Sequence, residues 1–281
     1  MPNLEPPLTS TSDHELARDL AVSAGRRLVE LRASYTGDPA GQDQLRKAGD
    51  LLAHEFLMAE LARLRPGDAV LSEEGKDDFA RLSADRVWIV DPLDGTREFG
   101  EPGRTDWAVH VALWELGDLA AGAVALPARD VVLSTPDPPQ VLARGMPGAA
   151  LRIVVSRSRP PAFVQQVAAD LGAELVPMGS AGAKAAAVVL GEFDAYVHGG
   201  GQYEWDSAAP VAVARAAGLH TSRIDGSMLT YNQADVSIPD ILISPARLAE
   251  PLLDSIARAL AAPRPAPVSH PIIPSDPEPE S

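Results

Sequence analysis

The first strong hydrophobic pattern in the chain has the period of an amphipathic helix. From Asp13 to about Ala33, apolar residues recur every three or four positions, at Leu16, Leu20, Ala24, Leu28 and Leu31. Residues 34 to 49 contain glycines and an Asp-Pro pair, which predict a loop. A second helix is predicted from near Asp50 to the residue before Arg65-Pro66-Gly67. The chain therefore begins its ordered part with two helices.

Short apolar runs separated by turn residues follow these helices. The run 69–72 leads into Glu73-Glu74, and the run 87–90 is expected to end at Pro92, because proline cannot donate to a sheet ladder. Three further strand-like runs cover 107–114, 120–126 and 131–134. Turn residues between them favour antiparallel hairpins. The first half of the chain is therefore predicted to contain a largely antiparallel sheet.

Beyond residue 150, predicted strands alternate with predicted helices. The strands cover 151–155, 175–176, 193–197 and 240–244, and the helices cover 161–171, 183–190, 207–217 and 248–260. Alternation of this kind indicates helices covering a sheet. The Pro- and Gly-rich stretch 135–149 predicts a domain boundary. Four segments result: a disordered leader 1–12, an N-terminal α+β half 13–149, a C-terminal α/β half 150–261 and a disordered tail 262–281.

Composition and charge then narrow the classes of function. The 281 residues suffice for a large core, and the formal net charge of −15 argues against a nucleic acid polymer as partner. Because the chain has no cysteine, a thiolate nucleophile and a cysteine zinc site are excluded. Neither a signal-peptide pattern nor a run of about 18 apolar residues occurs, so we expect a cytoplasmic protein that does not enter membranes.

Two carboxylates flank the predicted end of the central strand. Asp91 and Asp94 lie three residues apart, with Gly95-Thr96 directly after them. Close carboxylates repel each other unless a cation or a proton compensates, and hard divalent cations such as Mg²⁺ prefer oxygen ligands. Gly95 lets the backbone approach a ligand, and free N–H groups at a following helix favour an anion. Asp-Pro and Asp-Gly are also ordinary turn pairs, so this stretch alone leaves both interpretations open.

Other acidic residues occur at the boundaries of other predicted elements. Glu73 and Glu74 follow an apolar run, and Asp50 and Asp206 precede predicted helices, where helix capping is the alternative explanation. No GxSxG elbow, no GxxxxGK[ST] phosphate loop and no GxGxxG after a strand is found. An acid pair for glycoside hydrolysis would leave Gly95-Thr96 and the remaining motifs unexplained.

Three ordered motifs resemble the signatures of the inositol-monophosphatase-like superfamily. They are Ser72-Glu73-Glu74, Asp91-Pro92-Leu93-Asp94-Gly95-Thr96 and Trp205-Asp206-Ser207-Ala208-Ala209, and the similarity covers roughly residues 13 to 260. Leu-Ser-Glu-Glu followed by Asp-Gly-Thr-Arg-Glu-Phe most resembles the CysQ-type 3′(2′),5′-bisphosphate nucleotidases. The resemblance implies an α+β fold built as a layered α/β/α/β/α sandwich. It also implies a magnesium-dependent, lithium-sensitive phosphatase of sulfur metabolism that removes the 3′-phosphate of 3′-phosphoadenosine 5′-phosphate or its sulfated relative.

The same resemblance implies two or three Mg²⁺ ions per site. Glu73, Asp91 and the Leu93 carbonyl would bind one ion, and Asp91 would bridge to a second ion held also by Asp94 and Asp206. The catalytic set is Asp50, Thr96 and Glu73, in which Asp50 and Thr96 would orient and deprotonate the attacking water. Since removing one charge relieves repulsion within such a cluster, we expect Asp94→Asn to abolish turnover and leave the fold intact.

The implied substrate contacts are spread over both halves of the chain. They are Gly95, Thr96, Arg157, Ser180, Lys184 and Asp206. Ser156-Arg157-Ser158 resembles a Ser-Arg-Ser segment of the nucleotidases, and Gly179-Ser180 with Lys184 resembles their Gly-Ser-Ser-x-Lys with one extra residue. Arg159 stands where the relatives often have histidine, and His198 stands where they often have arginine. Solvated surface charge is the alternative explanation for Arg157 and Lys184.

Three other functions remain open on the sequence. Inositol monophosphatase and fructose-1,6-bisphosphatase belong to the same class, since one metal site serves many phosphate esters. A non-catalytic phosphate or magnesium sensor is the alternative outside it, although the presence of both Asp50 and Thr96 favours an enzyme. The expected partner is a small phosphorylated substrate. Relatives are often dimers, so the resemblance implies a homodimer as one assembly.

Overall fold

The computed structural model describes residues 12–35, 41–77, 79–140 and 150–262. Two long helices, α1 (Asp13–Ser34) and α2 (Gln42–Leu64), precede the first sheet. Ser12 caps α1, because its side chain accepts a hydrogen bond from the backbone N–H of Glu15. The apolar stripe of α1 is buried at Leu16, Leu20, Ala24 and Leu28. The apolar positions that predicted this helix therefore form its core-facing side.

The first sheet contains five strands in chain order. They are β1 (Ala69–Ser72), β2 (Arg86–Asp94), β3 (Ala108–Glu115), β4 (Asp118–Leu126) and β5 (Val131–Ser134). β1 pairs with β2 in parallel, and every later pair is antiparallel, which confirms the predicted hairpins. A short helix, α3 (Thr96–Gly100), follows β2 directly. Trp88 and Val90 point to the face covered by α1 and α2, whereas Val87 and Ile89 belong to the core on the opposite face.

The second sheet also has five strands, in the order β10-β12-β8-β6-β7. They are β6 (Arg152–Ser156), β7 (Glu174–Met178), β8 (Ala195–His198), β10 (His220–Ser222) and β12 (Ile241–Ser244), and β9 (Gln202–Tyr203) pairs with β11 (Ser237–Ile238) in a separate ribbon. Its helices are α4 (Val164–Leu171), α5 (Ala181–Val189), α6 (Glu204–Ala216) and α7 (Ala246–Ala261). The three short strands β9, β10 and β11 were not predicted.

The helices arrange the two sheets in five layers. α5 and α6 share one core cluster with strands of both sheets, while α4 and α7 share another with strands of the second sheet. The order α1 and α2, first sheet, α5 and α6, second sheet, α4 and α7 is the predicted α/β/α/β/α sandwich. None of the helices within the described ranges combines the length and apolar content required to cross a bilayer.

Two predicted boundaries were wrong in ways that affect the site. Strand β2 does not end at Val90 but continues through Pro92 to Asp94, and its pairing with β3 shifts register between Asp91 and Asp94. This irregularity accommodates a proline that has no N–H for the ladder. Helix α2 begins at Gln42, so Asp50 lies in its interior and is not a cap. The loop signals near residue 40 precede the helix, and Gly49 is a close-approach site, since a Cβ there would lie 2.8 Å from Phe99.

Helix α6 begins at Glu204, three residues earlier than predicted. Asp206 is therefore in the first turn and not at the cap position, although its carboxylate accepts a hydrogen bond from Tyr203 N at 2.7 Å. The predicted leader and tail, and the loop 141–149 within the predicted domain boundary, lie almost entirely outside the described residues.

Candidate metal and phosphate site

Acidic side chains from distant parts of the chain meet at the ends of β1 and β2. Carboxylate oxygens of Asp91, Asp94 and Asp206 lie within 4.8 Å of one another, and Asp91 and Asp94 are buried. Glu73 follows β1, and it lies next to the Asp91 side chain because parallel β1 and β2 end at the same edge. An all-oxygen donor set of this kind fits a hard divalent cation such as Mg²⁺. The acidic residues of the three motifs therefore lie close together in the fold.

The ionisation of this cluster reflects its burial and its mutual repulsion. Burial, followed by the charges of Glu73 and Asp94, raises the pKa of Asp91 well above its usual value. Burial and the charge of Asp206 raise the pKa of Glu73 to about 7. Burial and the charge of Asp94 raise the pKa of Asp206 to about 6. The carboxylates thus retain protons that a divalent cation would displace, which is the behaviour expected of a metal site.

The metal-free protein is expected to lose stability as the pH rises from about 4 to about 7. Glu73 and Asp206 have higher pKa values folded than the approximately 4.3 and 3.9 of unfolded chains, so the folded state binds protons more tightly. Their protonated forms stabilise it fully below about pH 4, and this contribution disappears above pH 7. Melting temperatures in EDTA across this range measure the effect.

The variant Glu73→Gln is the matched control for that measurement, because its side chain is neutral at every pH. Its melting temperature should fall less than that of the wild type between pH 5 and pH 7. Adding Mg²⁺ at pH 8 should raise the melting temperature of the wild type again, and it should raise that of the variant less. Parallel pH profiles for the two proteins would contradict this account of the cluster.

Asp94 has different surroundings from the other carboxylates. Its Oδ2 accepts hydrogen bonds from Ser180 Oγ at 2.5 Å and Gly182 N at 2.6 Å, and its Oδ1 accepts from Ala181 N at 3.1 Å. Although burial acts in the opposite direction, the charge of His110, and then that of Lys184, lowers the pKa of Asp94 to about 2. Asp94 therefore joins the end of β2 to the first turn of α5.

His110 is a site residue that the sequence analysis missed. The imidazole is fully buried, with Nε2 3.2 Å from Asp94 Oδ2 and Nδ1 3.0 Å from the carbonyl oxygen of Trp205. It therefore contacts both the end of β2 and the residue that precedes Asp206. A lone histidine in an apolar strand carries no local signal of such a role, and only the register of β3 against β2 could have revealed it.

Asp50 and Thr96 form the next part of the site. The hydroxyl Oγ1 of Thr96 lies 3.0 Å from Asp50 Oδ1 and 3.0 Å from the Leu93 carbonyl oxygen, and it can donate to either. Burial, followed by the charge of Glu74, raises the pKa of Asp50 to about 6. Gly95 has a φ of +85°, and a Cβ there would lie 3.1 Å from Ser180 Cβ, so this turn requires glycine. Asp50 is thus brought beside the acidic cluster by the interior of α2.

A cavity of about 410 Å³ opens beside these groups. Its walls include acidic side chains, basic side chains and the Gly95-Thr96 turn. The acidic residues of the lining are Glu73, Asp94, Glu98 and Asp206. The basic residues are Arg97 and a group of four, Arg157, Arg159, Lys184 and His198, which we call the basic set. A cavity lined in this way offers contacts both to a cation and to an anionic ligand.

The predicted substrate residues all line this cavity, and Lys184 is buried within it. The side chain of Lys184 is 4% exposed and its Nζ donates to the Ser180 carbonyl at 2.5 Å, so the surface-charge alternative is wrong for this residue. Arg157 pairs with Glu98 at 2.7 Å and with Glu101 at 2.9 Å. His198 is buried, and burial together with the charge of Lys184 lowers its pKa to about 4.

Comparison with known proteins gives a consistent result. The profile described as "Inositol monophosphatase family" matches residues 13–260. The chain is 52% identical to the 3′-phosphoadenosine 5′-phosphate phosphatase of Mycobacterium tuberculosis (strain CDC 1551 / Oshkosh), over 84% of this chain and 90% of that protein. It is 32% identical to the 3′(2′),5′-bisphosphate nucleotidase CysQ of Escherichia coli (strain K12), over 66% of this chain and 78% of that protein.

Solved structures share the fold. The CysQ structure from Bacteroides thetaiotaomicron superposes with a TM-score of 0.72 at 27% identity, covering 83% of this chain and 97% of that one. Inositol monophosphatase II from Staphylococcus aureus MSSA476 gives a TM-score of 0.74 at 21% identity, covering 90% and 99%. With the motifs, the layered fold and the profile match in agreement, the chain belongs to the inositol monophosphatase family.

Proposed function

We propose that this protein is a magnesium-dependent phosphatase that hydrolyses the 3′-phosphate of 3′-phosphoadenosine 5′-phosphate, with the sulfated relative as a second substrate. The observation that carries the proposal is the cavity lined by both a carboxylate cluster and a basic set. A substrate with two separate anionic groups can use both. The 52% identity to a protein named for this activity supports the same choice.

The carboxylate cluster would hold the metal ions. Glu73, Asp91 and the Leu93 carbonyl are assigned to one ion, and Asp91, Asp94 and Asp206 to a second. When bound, Mg²⁺ supplies the positive charge that activates water and neutralises the phosphate oxygens during hydrolysis. The protein's contribution is to hold five oxygen donors from three chain segments at one edge of the first sheet.

Asp50, together with Thr96, would accept the proton of the attacking water. When Thr96 donates to Asp50, its hydroxyl oxygen keeps lone pairs that can accept a hydrogen bond from water in the cavity that Thr96 lines. The water proton passes through this hydroxyl to Asp50, whose pKa of about 6 suits a base near neutral pH. The new P–O bond forms as the bond to the 3′-oxygen breaks, and that oxygen takes up a proton from solvent.

The second anionic group of the substrate would contact the basic set. Arg157 is already paired with two carboxylates, so we assign this contact first to Lys184 and Arg159, with His198 beside them. The backbone at Gly95 and Thr96, with Ser180 and Asp206, would surround the phosphate that is removed. Arg157 lines the same cavity and would be a further contact for this group.

Phosphate release from a substrate panel tests the proposal. We expect kcat/KM for 3′-phosphoadenosine 5′-phosphate to exceed that for inositol-1-phosphate by at least about tenfold, since inositol-1-phosphate has no second phosphate to contact the basic set. Fructose-1,6-bisphosphate does have a second phosphate, and it tests whether the spacing of the two phosphates also matters. EDTA should abolish release from every member. Equal or faster release from inositol-1-phosphate would make the protein an inositol monophosphatase. No release from any member would favour a phosphate or magnesium sensor.

A further inference from the structure

Arg81 is a buried cation that the proposed reaction does not use. Its side chain is 1% exposed and lies in the connection between β1 and β2, eight residues after Glu73. It pairs with Asp77 at 2.7 Å, donates to Asn232 Oδ1 at 2.8 Å and donates to the Gln233 carbonyl at 2.9 Å. A buried guanidinium with this many partners fixes the segments that supply them.

The loop contacted by Arg81 is fixed on its other side by Glu204. The buried carboxylate of Glu204 accepts hydrogen bonds from Asn232 N and Gln233 N, both at 2.7 Å. Asn232 also donates through Nδ2 to the Arg81 carbonyl at 3.1 Å. Asp77, Arg81, Asn232, Gln233 and Glu204 therefore form one continuous set of contacts, the Arg81 network.

This network connects the two chain segments that carry the most distant members of the acidic cluster. Asp77 and Arg81 follow Glu73 in the β1–β2 connection, while Glu204 is the first residue of α6, two residues before Asp206. β1 and β2 are held together by their own strand pairing, whereas α6 lies outside that pairing and packs against the sheet through the shared core. The Arg81 network is thus a side-chain link between these two parts.

We propose that Arg81 is a positioning residue for the metal site, holding the Glu73 segment and the start of α6 at the separation that metal binding requires. The inference rests on the proposed function for the identity of the metal ligands. Arg81 acts through geometry, because its own polar contacts are with the network and not with Glu73, Asp91, Asp94 or Asp206. Partners that orient metal ligands typically change metal affinity by about 10- to 100-fold when they are removed.

Calorimetric titration of Mg²⁺ into the metal-free protein, with Mn²⁺ titration as a second measure, tests this role. We expect Arg81→Met to raise the Mg²⁺ dissociation constant by about 10- to 100-fold. Activity should then require more Mg²⁺, with kcat at saturating Mg²⁺ within about threefold of wild type. A residue with only a general stabilising role would lower the melting temperature and leave the metal affinity of the folded protein unchanged.

A second variant breaks the network more gently. Asn232 has a φ of +58°, so Asn232→Gly keeps the backbone conformation and the N–H group that binds Glu204 while removing both side-chain contacts with Arg81. This variant should also weaken Mg²⁺ binding, by a smaller factor than Arg81→Met. It provides the test if Arg81→Met fails to fold.

Arg86→Met is the matched control. Arg86 pairs with Asp13, Asp68 and Glu115 at the opposite end of β2 from the acidic cluster. This variant should lose stability and bind Mg²⁺ within about twofold of wild type. Folded Arg81→Met and Asn232→Gly proteins with wild-type Mg²⁺ affinity would overturn the inference. Because binding is measured without substrate, wild-type Mg²⁺ binding without phosphate release would instead refute the proposed function alone.

Discussion

Replacing Asp91 with asparagine is expected to abolish metal binding and turnover while raising the melting temperature of the metal-free protein. The change removes the carboxylate proposed to contact both ions, so kcat/KM should fall by more than about 10³-fold. Stability should rise because Asp91 is buried among Glu73, Asp94 and Asp206, whose charges raise its pKa. Asparagine keeps an oxygen for Leu93 N and gains an amide that can donate to Glu73.

Asp94→Asn provides the contrast that makes this prediction specific. Both oxygens of Asp94 accept hydrogen bonds, from Ser180, Gly182 and Ala181, so an amide must point its NH₂ group at one of these donors. We expect a loss of stability of about 1–3 kcal/mol, which is the usual cost of a buried group left without its partner. The protein should still fold, as the sequence-based prediction for this variant states, but with this loss of stability.

Thermal unfolding in EDTA at pH 8 and calorimetric Mg²⁺ titration measure both variants. The melting temperature of Asp91→Asn should lie above that of the wild type, and that of Asp94→Asn below it. If Asp91→Asn keeps measurable Mg²⁺-dependent turnover, the ligand assignment fails. If the two melting temperatures shift in the opposite order, the account of the hydrogen bonds around the cluster fails.

Replacing Asp50 with asparagine is expected to lower kcat by about 10²- to 10⁴-fold, the usual contribution of a general base. Asparagine can still accept the hydrogen bond from Thr96, so the hydroxyl keeps its orientation, but it cannot take the proton. Mg²⁺ affinity should stay within a few-fold of wild type. The wild-type profile of kcat should rise with pH through about 6, because the carboxylate must be ionised to act as base, and the variant should lack this limb.

Asp43→Asn is the control for this measurement. Asp43 is an exposed residue in the first turn of the same helix, where it pairs with Arg46 at 2.8 Å. The kcat of the Asp43→Asn variant should lie within about twofold of wild type, and its pH profile should have the same shape. An Asp50→Asn protein with kcat within threefold of wild type would show that the base is another group, and a lost Mg²⁺ affinity would show that Asp50 serves the metal instead.

The sequence by itself determined the type and order of most elements and the acidic motifs, while the layered architecture was implied by the resemblance of those motifs to a known family. The periodicity in α1 and the alternating runs of the first sheet are local patterns, because each reports which side of one element faces the core. The motif residues Asp91, Asp94 and Asp206 could be chosen because they stand beside backbone-breaking or helix-starting residues. The resemblance of these motifs, in this order, to those of the family implied that the residues meet.

Only the tertiary structure decided how these residues are supported. Asp50 was expected at a helix end and lies inside α2, because capping and loop signals are weaker than the packing of α2 on the sheet. His110, Glu204 and Arg81 carry no local pattern at all. Arg81 and Asn232 are 151 positions apart, so nothing in the sequence near either residue indicates the other. Their roles depend on which distant groups the fold brings within hydrogen-bonding distance, and that is a property of the packed chain.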